Sequence, residues 1–317
     1  MGLVRQNANM ANGWRRGALV LTALVVAAIG GNCAVSGSCT SGSAQGPGSH
    51  GRYVAPGTPG AFGAPGAPGA PAGRMGKPAS GAQAAAARYW GLDEPPLVAP
   101  PPPGEKPEIT TREGFEVRDH EGLPPVFTAV PTTDRVVFLT IDDGAEKDPA
   151  LLRMMSDLEI PYSAFLTDYL ARGDYAYFGR MQERGTTLNN HTLTHPYLRG
   201  RPYRAQRREI CGQQDRIEEE FGERPRLFRP PYGAYDRNTL RAAKSCGIEA
   251  VPLWAAEAFA DHMEWREADR ELHPGDIILT HFRGEAEWRA RMPDLIRRVM
   301  NLITERGYAV ARLEDYV

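Results

Sequence analysis

The chain has no marked excess of either charge: 37 Lys and Arg stand against 39 Asp and Glu in 317 residues, a formal net charge of -2. That balance, with a pI near 6.4, removes the usual reason to expect nucleic acid or another polyanion as partner and favours a neutral or mixed-charge substrate. A comfortable membrane span is also missing. The apolar stretch Gly17 to Gly31 covers 15 residues, interrupted only by Thr22, whereas a spanning helix needs about 20. Cysteine is scarce, four in all, and Cys33 and Cys39 fall near the N-terminus. Cys211 and Cys246 remain, able to form one disulfide in an oxidising compartment or to stay as two separate buried thiols.

What is present begins with Arg15-Arg16 ahead of that apolar stretch, a charged segment followed by a hydrophobic one. Residues 1–32 therefore read as a secretory signal, with cleavage after Ala28-Ile29-Gly30, or as an uncleaved anchor. Cys33 raises lipidation, but Asn32 before it is a poor fit to such a site. Either way, the protein is expected outside the cytoplasm, secreted or tethered to the outer face of the membrane or cell wall, touching membrane only through this segment. Residues 33–125 carry a Gly-Ala-Pro repeat between Gly60 and Gly73 and the proline run Pro100 to Pro103. So little apolar density cannot offset the entropy of ordering, and a disordered tether is expected, with a loosely attached stretch from Phe115 to Val126.

From Arg135 onward the pattern alternates between strand and helix. Strands are expected at Val136 to Ile141, Tyr162 to Leu166, Thr186 to Asn189, Arg226 to Phe228, Glu249 to Leu253, Asp276 to Leu279 and Tyr308 to Arg312. Helices are expected at Pro149 to Leu158, Tyr175 to Arg184, Arg204 to Phe221, Asn238 to Cys246 and Pro293 to Arg306, with Gly185, Gly247 and Gly307 as closing residues. This is an α/β domain over 126–317. Its repeats suggest a closed or nearly closed parallel barrel with the active site at the C-terminal strand ends, an open doubly wound sheet being the alternative.

Four polar motifs each close an apolar run: Thr140-Ile141-Asp142-Asp143-Gly144, His191-Thr192-Leu193-Thr194-His195, Arg229-Pro230-Pro231-Tyr232-Gly233 and Leu279-Thr280-His281. Taken singly, paired aspartates after a strand are more often a turn or a helix cap, and Arg-Pro-Pro-Tyr-Gly is simply a turn. Two histidines four apart are more suggestive, because they can face the same way if the stretch turns helically. In this order, each at the end of a strand-like run, the motifs read as a metal-assisted hydrolase site. One carboxylate and two imidazoles hold a cation, a second carboxylate is the base and a late histidine is the acid.

In order and residue type, positions from about 135 to 317 resemble the polysaccharide deacetylases, carbohydrate esterase family 4 or NodB-homology domain. The resemblance implies an irregular (β/α)7 barrel. It makes Asp143, His191 and His195 the metal ligands and Asp142 the base that deprotonates a metal-held water. Arg229 keeps Asp142 ionised, the backbone N–H of Tyr232 stabilises the oxyanion, His281 protonates the leaving amine, and Leu279 and Trp254 wall the acetyl methyl. The ion expected on ligand type is Zn, with Co, Ni, Mn or Fe tolerated. The implied reaction is removal of N-acetyl groups from amino sugars of peptidoglycan or a chitin-like glycan, and the chain is expected to act as a monomer.

The fit has gaps. The family places aspartates shortly after a tryptophan to orient the acid, but Trp254 is followed by Ala255-Ala256-Glu257-Ala258-Phe259-Ala260-Asp261, leaving Glu257 or Asp261 for that task. Phe282 stands after His281 where an aspartate is common, and Asn190 precedes His191 where a small residue is usual. A carbohydrate-binding wall protein with impaired catalysis, or an O-acetyl esterase on a polymer such as xylan, are the competing readings.

Overall fold

The computed structural model describes residues 73–317. The signal or anchor at 1–32, and the tether up to residue 72, lie outside the described residues. Described elements, in chain order, are α1 (Gly81–Trp90), β1 (Leu97–Val98), β2 (Val126–Phe127), β3 (Val136–Asp143), α2 (Pro149–Asp157), β4 (Ser163–Leu166), α3 (Asp168–Ala171), α4 (Tyr175–Gln182), β5 (Thr187–Asn190) and α5 (Tyr203–Phe221). There follow α6 (Arg237–Ser245), β6 (Val251–Pro252), β7 (Ala256–Ala258), β8 (Met263–Trp265), β9 (Ile277–His281), α7 (Glu285–Trp288), α8 (Met292–Glu305) and β10 (Ala309–Val310).

The architecture is α/β on a mostly parallel sheet. β3 lies between β4, β9 and β10, all parallel to it, and β4 pairs with β5. Past β5 the pairing continues through isolated parallel bridges, Asn190 to Phe228 and Leu227 to Ala250, instead of the full strand expected at 226–228. The β7–β8 hairpin, antiparallel within the parallel sheet, was not legible in the sequence.

All eight residues of β3 are buried, because its two faces serve different cores. Val137, Leu139 and Ile141 share one apolar cluster with Leu151 and Met154 of α2 and with Leu295, Ile296 and Val299 of α8. Val136 and Phe138 share the other with Phe165, Phe228, Leu253, Ile277 and Leu279. This is the side-chain alternation of an extended strand. Helix α2 starts where Asp148 accepts from the Ala150 N–H at 2.9 Å and Pro149 fits the first turn. Each leucine or isoleucine it or α8 buries contributes about 1.5–3 kcal/mol.

Residues 73–125 depart from the expected tether. Helix α1 has a reciprocal cap, Ser80 with Gln83, and ends at Gly91 in the left-handed region. Ala87 and Leu92 join the larger core cluster, β1 pairs with β10, and Arg74 grips Asp134 through its backbone N–H at 2.8 Å and its guanidinium at 2.5–3.1 Å. Composition misled here because it weighs only what a segment can bury within itself. This one buries its few apolar residues on a surface that the rest of the chain supplies. A disulfide between Cys211 of α5 and Cys246, the residue closing α6, joins the two helices. Among the described residues no helix is long and apolar enough to cross a membrane.

Candidate functional site

Parallel register gathers the polar motifs on one rim. Asp142 at the end of β3 is opposite His281 at the end of β9, and Leu166 of β4 is opposite Asn190 of β5, just before His191. Arg229 follows Phe228, bridged to Asn190, and donates its own N–H to the Asn190 carbonyl at 2.9 Å. Asp142, Asp143, His191, His195, Arg229 and His281 thus come from segments neighbouring in space and far apart in sequence.

Two successive strand residues ought to point to opposite faces. Asp142 continues the inner face of Phe138 and Thr140, but Asp143 has φ 82° and Gly144 φ 95°, which ends the alternation and turns the second carboxylate back. Both carboxylates then reach one imidazole: His191 Nε2 lies 3.7 Å from Asp142 Oδ2 and 3.6 Å from Asp143 Oδ1. Left-handed geometry at a residue with a side chain is costly and is tolerated where surrounding structure imposes it.

The two histidines do not lie on a helix. They sit in a loop whose Thr192 and His195 have φ 73° and 56°, and that loop, instead of a helical turn, brings His195 Nε2 to 3.2 Å from His191 Nε2 and 3.3 Å from Asp143 Oδ1. Asn190 supports the loop from beneath, accepting from the Thr192 N–H at 2.9 Å and donating to Ile210 O and Gln214 Oε1. The unusual asparagine is therefore a brace. His191 Nδ1 is 2.7 Å from the Arg229 carbonyl, which assigns it the proton and leaves the Nε2 lone pair facing the carboxylates.

Asp143, His191 and His195 each offer one atom, all within 4.8 Å of one another. Asp143 Oδ1, aimed at both imidazoles, is buried with no hydrogen-bond partner, a cost normally avoided unless something else binds there. Burial, opposed by Asp143, brings both imidazoles down to about 4, so both are neutral at neutral pH. The donor set fits a divalent cation.

Asp142 belongs to a different network. Arg229 is fully buried and donates from Nη1 to Asp142 Oδ1 at 2.7 Å and to Thr140 Oγ1 at 2.9 Å. Its Nε and Nη2 go to the Pro252 and Leu253 carbonyls at 2.8 and 3.3 Å, and its guanidinium lies over the Phe165 ring. Burial lifts Asp142 to about 6, with Arg229 the main opposing pull, leaving it ionised at neutral pH and able to accept a proton.

The β9 side of the rim is less tightly held. His281 Nδ1 is buried without a hydrogen-bond partner, and its nearest acid is Glu257 Oε1 at 3.6 Å. Asp261 is exposed and paired with His262, so of the two candidates only Glu257 faces His281. Burial, with Glu264 and Asp142 adding to it, pushes Glu257 up to about 8. Phe282 is buried, edge-on to Phe178. Tyr232 stands half exposed at φ 61° with its ring 4.8 Å from His195. Gly233 lets that turn lie against Trp254, whose ring a Cβ there would meet at 3.1 Å. Leu279 is buried opposite Thr140.

One residue of the rim escaped the sequence reading. Arg283 donates from Nη2 to Asp143 Oδ2 at 2.6 Å. The only signal was its position two residues beyond His281.

A family model described as polysaccharide deacetylase matches residues 129–251, stopping short of Glu257 and His281. An uncharacterized protein of Streptomyces coelicolor is 45% identical over 196 residues, 62% of this chain and 78% of that protein. The peptidoglycan-N-acetylmuramic acid deacetylase PdaC of Bacillus subtilis is 29% identical over 207 residues, 61% of this chain and 41% of PdaC; the chain thus spans less than half of that relative. A solved pseudoenzyme of carbohydrate esterase family 4 from Bacillus anthracis has a TM-score of 0.52 at 19% identity, over 61% of this chain and 69% of the other, a likeness of fold alone. With these relatives, the chain belongs to the polysaccharide deacetylase family.

Proposed function

We propose that this chain is an exported polysaccharide N-deacetylase acting on amino sugars of peptidoglycan or a chitin-like glycan. The observation that carries the reading is the division of labour between adjacent carboxylates. Asp143 faces two imidazoles with an unpartnered oxygen, while Asp142 is held by Arg229. A site that only bound a cation, or only a sugar, has no use for that second, separately held carboxylate.

A divalent ion held by Asp143, His191 and His195, most simply Zn, with Co, Ni, Mn or Fe as alternatives, supplies Lewis acidity when bound. Asp142 takes the proton of the attacking water, its charge kept in place by Arg229. The backbone N–H of Tyr232 is assigned to the developing oxyanion. His281 delivers a proton to the departing amine nitrogen, which otherwise leaves badly. Trp254 and Leu279 form the apolar side where the acetyl methyl lodges. On this reading the isolated bridges complete an irregular (β/α)7 barrel, residues 73–125 pack onto the catalytic body, and the segment ahead of them serves as signal or anchor and spacer. The Cys211–Cys246 bond suits an oxidising compartment.

A second reading rests on the unpartnered His281 Nδ1: a binding protein in which the acid is no longer aligned. Acetate release separates the two. The full chain is assayed on N-acetylated chitooligosaccharide and on peptidoglycan, after chelation, after return of Zn or Co, and as Asp142→Asn. Acetate that disappears with chelator, returns with metal and is lost in the variant is the expected result. No acetate from either glycan by folded, cation-loaded protein would sink the deacetylase reading and favour the second.

A further inference from the structure

We propose that Arg283 is a positioning residue of the cation site: it occupies the outer oxygen of Asp143, limits that ligand to its inner oxygen, and weakens retention of the cation. The assignment rests on the metal-site reading above and adds to it a residue outside the ligand set.

The contact is short and sheltered. Arg283 Nη2 lies 2.6 Å from Asp143 Oδ2, with side chains 11% and 1% exposed. The other oxygen, Oδ1, is the one facing His191 and His195. A carboxylate has two oxygens to offer a metal, and here one is taken by a charge-assisted hydrogen bond.

Arg283 is delivered on a fixed turn. The Phe282 N–H donates to the Asp142 carbonyl at 3.0 Å, the Glu146 N–H to the Phe282 carbonyl at 3.0 Å, and the Arg283 N–H to the His281 carbonyl at 2.9 Å. Gly284 is pressed against Glu146, whose Oε2 a Cβ would meet at 2.1 Å. On the solvent side, Arg283 Nε lies 3.0 Å from Glu287 Oε2. Backbone pairing on one side and an acid on the other thus aim the guanidinium at Asp143.

Two consequences act in the same direction. A fixed positive charge beside the ligand carboxylate repels a divalent ion in a site that screens it poorly. In the empty site the same charge relieves Asp143, so the unloaded state is more comfortable than it would be with a bare buried carboxylate. Both lower cation affinity. The compensation is a ligand held in one orientation whether or not an ion is present.

The test is Zn2+ affinity of the full chain, measured by competition with a chromophoric chelator, together with the visible spectrum of the Co2+-loaded protein. Arg283→Met and Arg283→Gln are both expected to bind Zn2+ at least about tenfold more tightly. They are also expected to show weaker Co2+ absorption, as a second Asp143 oxygen raises the coordination number. Arg283→Lys, which keeps the charge, should stay within about threefold of wild type. Thermal melts of the stripped proteins establish which variants fold, and either neutral variant suffices. Affinity in a folded neutral variant that is unchanged or weaker, with the wild-type Co2+ spectrum, overturns the proposal. A wild-type protein that binds neither ion overturns both the proposal and the metal reading beneath it.

Discussion

The two ends of the rim differ in how completely their titratable groups are partnered. At the β3 end each carboxylate has its own arginine, Arg229 for Asp142 and Arg283 for Asp143, at 2.7 and 2.6 Å. At the β9 end the His281 Nδ1 has no hydrogen-bond partner among the described residues, its nearest acid, Glu257, lying 3.6 Å away, although Asp143 and Asp142 also act on the imidazole electrostatically. The groups assigned to cation and base are fixed by the protein alone, whereas the group assigned to proton donation is not. The Glu257 region lies just beyond the matched family segment and departs most from the family pattern.

Three measurements can break that contrast, in falling order of effect. His191→Ala removes a ligand from the rigid half and should abolish both Zn2+ uptake and acetate release, read by metal analysis and acetate assay; retained metal with full activity would mean the ligand set is wrong. His281→Ala removes the proton donor and should lower amide hydrolysis by about 10²–10⁴. It should act less on an activated acetate ester, whose leaving group needs no proton, and equal losses on both would point to a structural role instead. The smallest effect is expected at Glu257. Burial first, then Glu264 and Asp142, raise its carboxyl from 4.5 to about 8. Its contribution to stability is therefore fully present below pH 4.5 and lost as pH climbs toward 8. Glu257→Gln has no charge to bury and should gain on wild type by a few degrees in melting temperature between pH 5 and pH 8, measured in chelator. Parallel pH curves for the two proteins would show that Glu257 is ionised throughout.

Much of this rim is legible in the sequence. The β-branched run before Asp142, the paired histidines and the late His281 each closed an apolar stretch, and parallel register then did the gathering. Less readable was how adjacent aspartates come to face one imidazole, because the Asp143-Gly144 pair marks a turn with positive φ without saying where that turn sends the second carboxylate. The loop geometry at Thr192 and His195 is hidden as well. Helix α1 did leave a signal, the Ser80 and Gln83 cap with Gly91 at its end. Proline and glycine counts outweighed it because they describe a segment in isolation. Arg283 was passed over because its meaning depends on a partner 140 positions away.

The buried guanidinium of Arg229 touches more than the base. It spans from Asp142 and Thr140 to the carbonyls of Pro252 and Leu253, immediately before Trp254. The wall assigned to the acetyl methyl and the carboxylate assigned to the water are thereby referenced to one rigid planar group with directed N–H bonds. On the proposed function, a spacing fixed in this way is set during folding and need not be rebuilt around substrate. A lysine at this position would preserve the charge yet lose the common frame.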